Sequence, residues 1–200
     1  MKIRTNKNGV QSFVEGYFDN KDVAGLKKTI TPGWNDKTLA AHLKIIDVPE
    51  DAASVLEIGC GLGRLLVPIA ERANTRYCVG LDASEAMIKN AVRHPKITYS
   101  VCDMFAGPLI CGNTTIKFAF CWLVCQHVPD TPAVYYMVEN VLAVLGPKGI
   151  FRCQFLRQDE RPGNPLWTYH DLDEVQNWFA PCGRQDINDR WTMLEWRMWE

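Results

Sequence analysis

The stretch Val55-Leu56-Glu57-Ile58-Gly59-Cys60-Gly61-Leu62-Gly63-Arg64 decides the fold. Its opening residues, with Ser54 before them, read as a strand. Three glycines follow at alternate positions, and apolar positions from Leu62 to Arg72 then read as a helix. Glycine is the residue for a chain that must turn tightly and let a ligand approach its backbone without a Cβ in the way. A loop that ends at a helix N-terminus presents free N–H groups, which suit a negatively charged group. In an open α/β sheet, this position is the crevice at the carboxyl ends of the strands. The spacing is not G-x-G-x-x-G, the pattern of nicotinamide-dinucleotide sites, because Arg64 occupies the place of the third glycine.

Working outward, short apolar or β-branched runs alternate with helical patterns. Strands are expected at Arg76 to Leu81, Lys96 to Val101, Ile116 to Cys121 and Gly149 to Leu156. Ser84-Glu85 opens a helix with Ala86, Ile88 and Val92 among its apolar positions, and a longer helix runs from about Asp130 to Leu145, stopped by Gly146-Pro147. Such alternation implies a parallel sheet with helices on both faces. Pro68, beyond the first turn of a helix that starts at Leu62, is expected to kink it.

The end of the chain changes character. Asp171 to Phe179 reads as a helix terminated by Pro181-Cys182-Gly183, and Arg184 to Asp189 and Met193 to Trp199 as a hairpin that adds one antiparallel strand. The first fifty residues read as two helices over the sheet, Val10 to Tyr17 and Asp36 to Ile46, and Pro162-Gly163-Asn164-Pro165 as a loop. No repeat, low-complexity tract or linker divides the chain, so residues 1–200 are expected to form one domain, an N-terminal helical lid (1–50) on an α/β core (51–200).

Composition narrows the function classes. The formal net charge is −1, with no basic patch beyond Lys2, Arg4 and Lys7, so nucleic acid is an unlikely partner. No apolar run approaches the ~20 residues that span a bilayer. MKIRTNKNGV lacks the apolar stretch of a signal peptide, and Cys60, Cys78, Cys102, Cys121 and Cys153 sit in or beside apolar segments as small buried hydrophobes do. Together these predict free thiols and a reducing, cytoplasmic compartment.

The pattern that does fit the glycine loop is E-x-G-x-G-x-G. From about Ser54 to Phe155, and more weakly to the end, the chain resembles the class I S-adenosylmethionine (SAM)-dependent methyltransferases. The resemblance implies a Rossmann-like fold with a mostly parallel seven-stranded sheet, one antiparallel strand and N-terminal helices. It implies SAM as cofactor, with Gly59, Cys60, Gly61 and Gly63 forming the loop against it and Glu57 orienting that loop or holding the donor's amino group through water. Asp82, in Leu81-Asp82-Ala83-Ser84, takes the place of the carboxylate that accepts bonds from the ribose hydroxyls, with Ala83 beside it. Asp103 would meet the adenine amino group, Met104 would pack on the ring, and Met87 would lie beneath the adenosine. Leu145-Gly146-Pro147-Lys148-Gly149 resembles the family's L-x-P-G-G turn, with Lys148 in place of a glycine. Taken alone, Glu57 also reads as a buried structural acid, Asp82 as a helix cap and Asp103 as a loop residue.

Phe120-Cys121-Trp122-Leu123-Val124-Cys125-Gln126-His127-Val128 corresponds to the segment that passes the donor's methyl group in small-molecule members, although Lys117 stands where many have Asp. Trp122 reads either as a wall of the donor cleft, its face toward the sulfonium, or as a core residue. His127 reads either as a general base, titrating near neutrality, or as a structural histidine at the strand-to-helix connection. Cys121, Cys125 and His127 lack the spacing of a zinc knuckle and a second ligand pair, so no metal is expected. Near the N-terminus, Gly33-Trp34-Asn35-Asp36 precedes a helix, and Tyr17 or Trp34 is placed to lid the site. Three functions fit: methyl transfer to O or N of a small molecule, methyl transfer to protein or nucleic acid, and a non-catalytic SAM-binding subunit. Compact size, neutral charge and the His127 segment favour the first; the macromolecular reading lacks an (N/D)-P-P-(Y/F) tetrapeptide.

Overall fold

The computed structural model describes residues 25, 35–102, 104, 115–128, 131–157, 168–179 and 181–199. Seven strands, β1 (Ser54–Ile58), β2 (Tyr77–Asp82), β3 (Ile97–Val101), β4 (Ile116–Cys121), β5 (Leu145–Leu156), β6 (Cys182–Asp186) and β7 (Trp191–Arg197), form one sheet in the order β3-β2-β1-β4-β5-β7-β6. The neighbours from β3 to β5 are parallel, whereas β7 runs antiparallel to both β5 and β6. The C-terminal hairpin thus contributes the one antiparallel strand that its sequence pattern predicts. From β1 the chain moves outward through β2 and β3, then returns to lay β4 on the other side of β1. That reversal opens a crevice at the carboxyl ends of β1 and β4.

β1 is buried along its whole length, as expected of a central strand covered on both faces. Alternate side chains of β1 and β4 enter opposite cores. Leu56, Ile58, Ala119 and Cys121 join one, and Val55, Phe118 and Phe120 the other. The first core is closed by α4 (Thr131–Val144), whose Val134, Met137, Val138 and Val141 repeat at helical spacing, and by Leu172 and Val175 of α5 (Leu172–Asn177). The second is closed by α1 (Asp36–Ile46) and α2 (Leu66–Ala70). Each fully buried aliphatic or Phe side chain here stabilises the fold by about 1.5–3 kcal/mol.

α1 matches its predicted bounds and is fixed at both ends. Asn35 caps it by accepting a bond from the Thr38 N–H at 2.8 Å. At the other end the Arg152 guanidinium, from β5, donates to the Ile46 and Asp47 carbonyls at 2.7 Å each. A cation at a helix C-terminus also meets the negative end of its dipole. This tie holds α1 over the edge of the crevice.

Some local expectations fail for identifiable reasons. α2 begins at Leu66, so Pro68 falls in its first turn, where its missing N–H costs nothing, and no kink is needed. α3 (Glu85–Lys89) is capped by Ser84 but stops early. The Asn90 side chain bonds back to the Ala86 carbonyl at 2.8 Å, and Val92 lies outside the helix, exposed. Gly146-Pro147 does not separate α4 from the next strand, because β5 starts at Leu145 directly after the helix. A Cβ on Gly146 would lie 2.0 Å from Thr115 Cγ2, so this glycine serves close strand approach. Cys182 and Gly183, expected as a terminator, begin β6. The Val10–Tyr17 helix, Tyr17, Trp34 and the Pro162–Pro165 loop lie outside the described residues. Among the described residues, no helix is long and apolar enough to cross a membrane.

Candidate functional site

The glycine loop leaves β1 at the crevice. Gly59, Gly61 and Gly63 have φ of +70°, +53° and +81°, backbone that L side chains rarely adopt. The Gly59 and Cys60 N–H groups donate to the Leu81 carbonyl at 2.7 and 3.0 Å, fastening the loop to the end of β2. Two of the glycines are also spatially required. A Cβ at Gly59 would sit 2.2 Å from Val124 Cγ2, and one at Gly63 2.0 Å from the Tyr99 hydroxyl. The loop is therefore gripped from β3 by Tyr99 and from the segment after β4 by Val124.

Two carboxylates flank this loop. Asp82, the last residue of β2, accepts the Gly61 N–H on Oδ2 and the Ser84 N–H on Oδ1, each at 2.8 Å. The helix cap proper is Ser84, whose hydroxyl accepts the Met87 N–H at 3.2 Å. Asp82 thus organises the loop, and the role of capping α3 belongs to its neighbour. Glu57 is 3 % exposed, and its Oε2 has no hydrogen-bond partner among the described residues. Burial holds its carboxyl well above the usual range, the Arg64 guanidinium opposes this, and Asp82 adds to it. Burial, Asp82 and Glu57 likewise push the Cys60 thiol up, which leaves it an unreactive wall of the loop.

A second group closes the side beneath α1. The Arg64 Nη1 lies 3.1 Å from His42 Nδ1, and the His42 ring packs against Trp122 with centroids 5.2 Å apart. Burial and the Arg64 charge bring the His42 pKa down to about 4, so the ring is neutral at physiological pH. Trp122 is 6 % exposed, and its indole N–H finds no partner among the described residues. It belongs to the core on the α1 face, as its core reading from sequence expects. His42 was not singled out from the sequence; one histidine in a helix carries no signal until the fold brings Arg64 and Trp122 to it.

Beyond Trp122 the chain bends sharply. Leu123 has φ of +59°, and its N–H donates to the side-chain carbonyl of Gln154, a buried residue of β5, at 2.9 Å. That bond holds the strained residue and sets Val124 against Gly59. A 3₁₀ turn, Cys125–His127, follows, with His127 partly buried at its end. Gln154 was also missed, since a polar residue in a strand pattern normally reads as surface.

Of the residues predicted to bind a cofactor, Glu57, Gly59, Cys60, Gly61, Gly63, Asp82 and Met87 gather around one loop; Met87 Sδ would lie 3.9 Å from a Cβ on Gly61. Ala83 and Met104 are buried in the core beside the end of β2, while Asp103 lies outside the described residues. A cradle of positive-φ glycines, a carboxylate at the end of β2 and an orphaned buried carboxyl oxygen form a donor set that fits SAM.

Residues 55–149 match the family model described as a methyltransferase domain. Over that stretch, a little under half of its length, the chain is similar to this family. The chain is 27 % identical over 146 residues to trans-aconitate 2-methyltransferase from Azoarcus sp. (strain BH72), covering 68 % of this chain and 55 % of the relative. It is 28 % identical over 161 residues to the trans-aconitate 2-methyltransferase of Variovorax paradoxus (strain S110), covering 76 % and 57 %. The chain therefore spans a little over half the length of the curated relatives it matches. Its fold is shared with phosphoethanolamine N-methyltransferase 2 of Haemonchus contortus, in complex with phosphomonomethylethanolamine and S-adenosylhomocysteine (TM-score 0.73, 13 % identity, 94 % of this chain and 59 % of that one). It is shared also with the N-methyltransferase NodS of Bradyrhizobium japonicum WM9, in complex with S-adenosylhomocysteine (TM-score 0.67, 14 % identity, 96 % and 100 %).

Proposed function

We propose that this chain is a class I SAM-dependent methyltransferase that transfers a methyl group from SAM to an oxygen or nitrogen of a small molecule. The observation that carries the reading is Glu57 Oε2, buried without a partner among the described residues beside three positive-φ glycines. A buried polar oxygen left unpaired costs free energy, and an ammonium group or its water offsets that cost on binding. SAM, when bound, supplies an electrophilic methyl on a sulfonium sulfur. Glu57 would hold the donor's amino end and Asp82 the ribose diol. Met87 and Met104 would pack on the adenosine, Asp103 would meet the adenine amino group, and the face of Trp122 would meet the sulfonium.

Orientation supplies much of the rate in such a reaction, and a base matters only when the acceptor loses a proton during attack. His127 is the candidate for that base. The curated relatives are named for a carboxylic acid, whose oxygen is already ionised at neutral pH, so a carboxylate acceptor would make His127 a positioning group only. Residues 1–200 would form one domain, with those before about residue 50 as a lid. The abundance of free thiols supports a reducing, cytoplasmic setting.

Methyl-labelled SAM incubated with trans-aconitate, other small carboxylic acids, small amines and fractionated cell extract tests the reading. Label is expected in a low-mass product. Label confined to macromolecules, or no transfer to any fraction by protein that binds SAM, would overturn it.

A further inference from the structure

Cys121 and Cys153 are paired residues on the neighbouring parallel strands β4 and β5, so their side chains leave the same face of the sheet side by side. The 3₁₀ turn after β4 folds Cys125 back over them. Its Sγ lies 3.3 Å from that of Cys153 and 4.0 Å from that of Cys121, and the three sulfurs all fall within 4.8 Å of one another. All three are buried, at 1 % exposure or less. Sequence spacing gave no reason to expect a metal because it showed two of these sulfurs and paired them with His127. The third comes from a strand that only the fold brings alongside.

We propose that Cys121, Cys125 and Cys153 form a site for a soft divalent cation of the zinc and cadmium type, held by three sulfurs just beneath the turn that borders the crevice. Size fits first. A cation ~2.3 Å from each of three sulfurs spaces them about 4 Å apart, so the tightest pair need part by only ~0.7 Å. Chemical type fits next, since sulfur ligands select soft cations over magnesium or calcium. Binding through three sulfurs releases all three thiol protons to solvent, because a cysteine ligates a metal as its thiolate, and the divalent charge offsets two of the three negative charges so formed.

The turn is also held from outside. His170, 4 % exposed, contacts the Cys125 carbonyl through Nε2 at 3.0 Å and the Thr131 hydroxyl through Nδ1 at 3.2 Å. Fixing the backbone of a ligand in this way is how metal sites keep their ligands aimed. Trp122 and Leu123 lie between Cys121 and Cys125, so an ion bound here would stiffen the segment that grips Gly59 through Val124.

The test uses the full chain, freshly reduced, with Cd²⁺ as probe. One Cd²⁺ per chain should survive gel filtration, with sulfur-to-cadmium charge-transfer absorption in the ultraviolet. Cys153→Ala should weaken binding at least 100-fold, while Cys182→Ala leaves it unchanged. Because core variants can fail to fold, ¹¹³Cd NMR of the parent protein reads the ligands directly and should give a resonance in the range for three sulfurs. No retained Cd²⁺, a resonance in the oxygen or nitrogen range, or binding unaltered in folded Cys153→Ala would each overturn the proposal.

Discussion

The glycine loop after β1 and the turn after β4 border the same crevice but are built on different principles. In the loop, function lies in the backbone. Positive φ at three glycines sets the shape in the main chain itself, and its N–H groups are anchored on the Leu81 carbonyl and the Asp82 carboxylate. In the turn, side chains from elsewhere set the geometry: Gln154 of β5 holds Leu123, His170 holds Cys125, and His42 of α1 packs on Trp122. A loop of the first kind suits a ligand common to a family, while a turn of the second kind can be reshaped for each acceptor.

The largest expected effect lies on the turn and depends on the acceptor. For a hydroxyl or amine that must lose a proton, His127→Ala should reduce turnover about 10²–10⁴-fold with SAM affinity little changed. For a carboxylate acceptor the loss should nearly vanish. Steady-state kinetics on both classes decide it. A fall in melting temperature with turnover per folded molecule intact for every acceptor would remove His127 from the chemistry.

On the loop side, Gly63→Ala should abolish donor binding and lower stability. The new methyl would meet the Tyr99 hydroxyl, and φ in the left-handed region costs an L residue roughly 1–2 kcal/mol. Thermal unfolding of Gly63→Ala with and without Tyr99→Ala separates the two costs. The second substitution should recover the steric part and leave the backbone part. Full recovery would mean that φ at this position is not constrained.

Asp82→Ala should weaken SAM binding by about 1.5–3 kcal/mol, the range for hydrogen bonds to charged groups. Because Asp82 also accepts two backbone N–H groups, the free protein should lose some stability as well. Calorimetry alongside thermal melts reads both. Unchanged affinity with a collapsed melting temperature would reduce Asp82 to a structural role.

The smallest effect is a pH dependence. His42 is held down at about 4 from an ordinary 6.5. As pH falls below 6.5, the unfolded chain takes up a proton that the folded protein refuses, so stability should fall between about pH 6.5 and 4. Glu57, held above its ordinary range, acts in the opposite sense: the stability it contributes is lost as pH rises. Comparing the parent with His42→Gln in denaturant melts at pH 7 and pH 5 isolates the histidine. The variant should lose less stability on acidification, and equal losses would discard the assignment.

The same contrast explains what the sequence made legible. The fold followed from strand and helix periodicity, because most of its neighbours are parallel strands separated by single crossovers. The loop followed from glycine spacing, because a local backbone shape needs local residues. Gln154, His42 and the third sulfur at Cys153 did not follow, because each acts across the fold on a residue far away in the chain. The helix end at Asn90 and the start of β5 at Leu145 were misread for a narrower reason. A side-chain bond shortened one helix, and a glycine chosen for close approach looked like a stop.

Titration calorimetry of the full chain with SAM, S-adenosylhomocysteine and NAD tests most directly whether the crevice beside Glu57 and Asp82 is a methyl-donor site. The account predicts saturable binding of SAM and its demethylated product at one site per chain, with no heat from NAD. Binding of NAD without binding of SAM would contradict it.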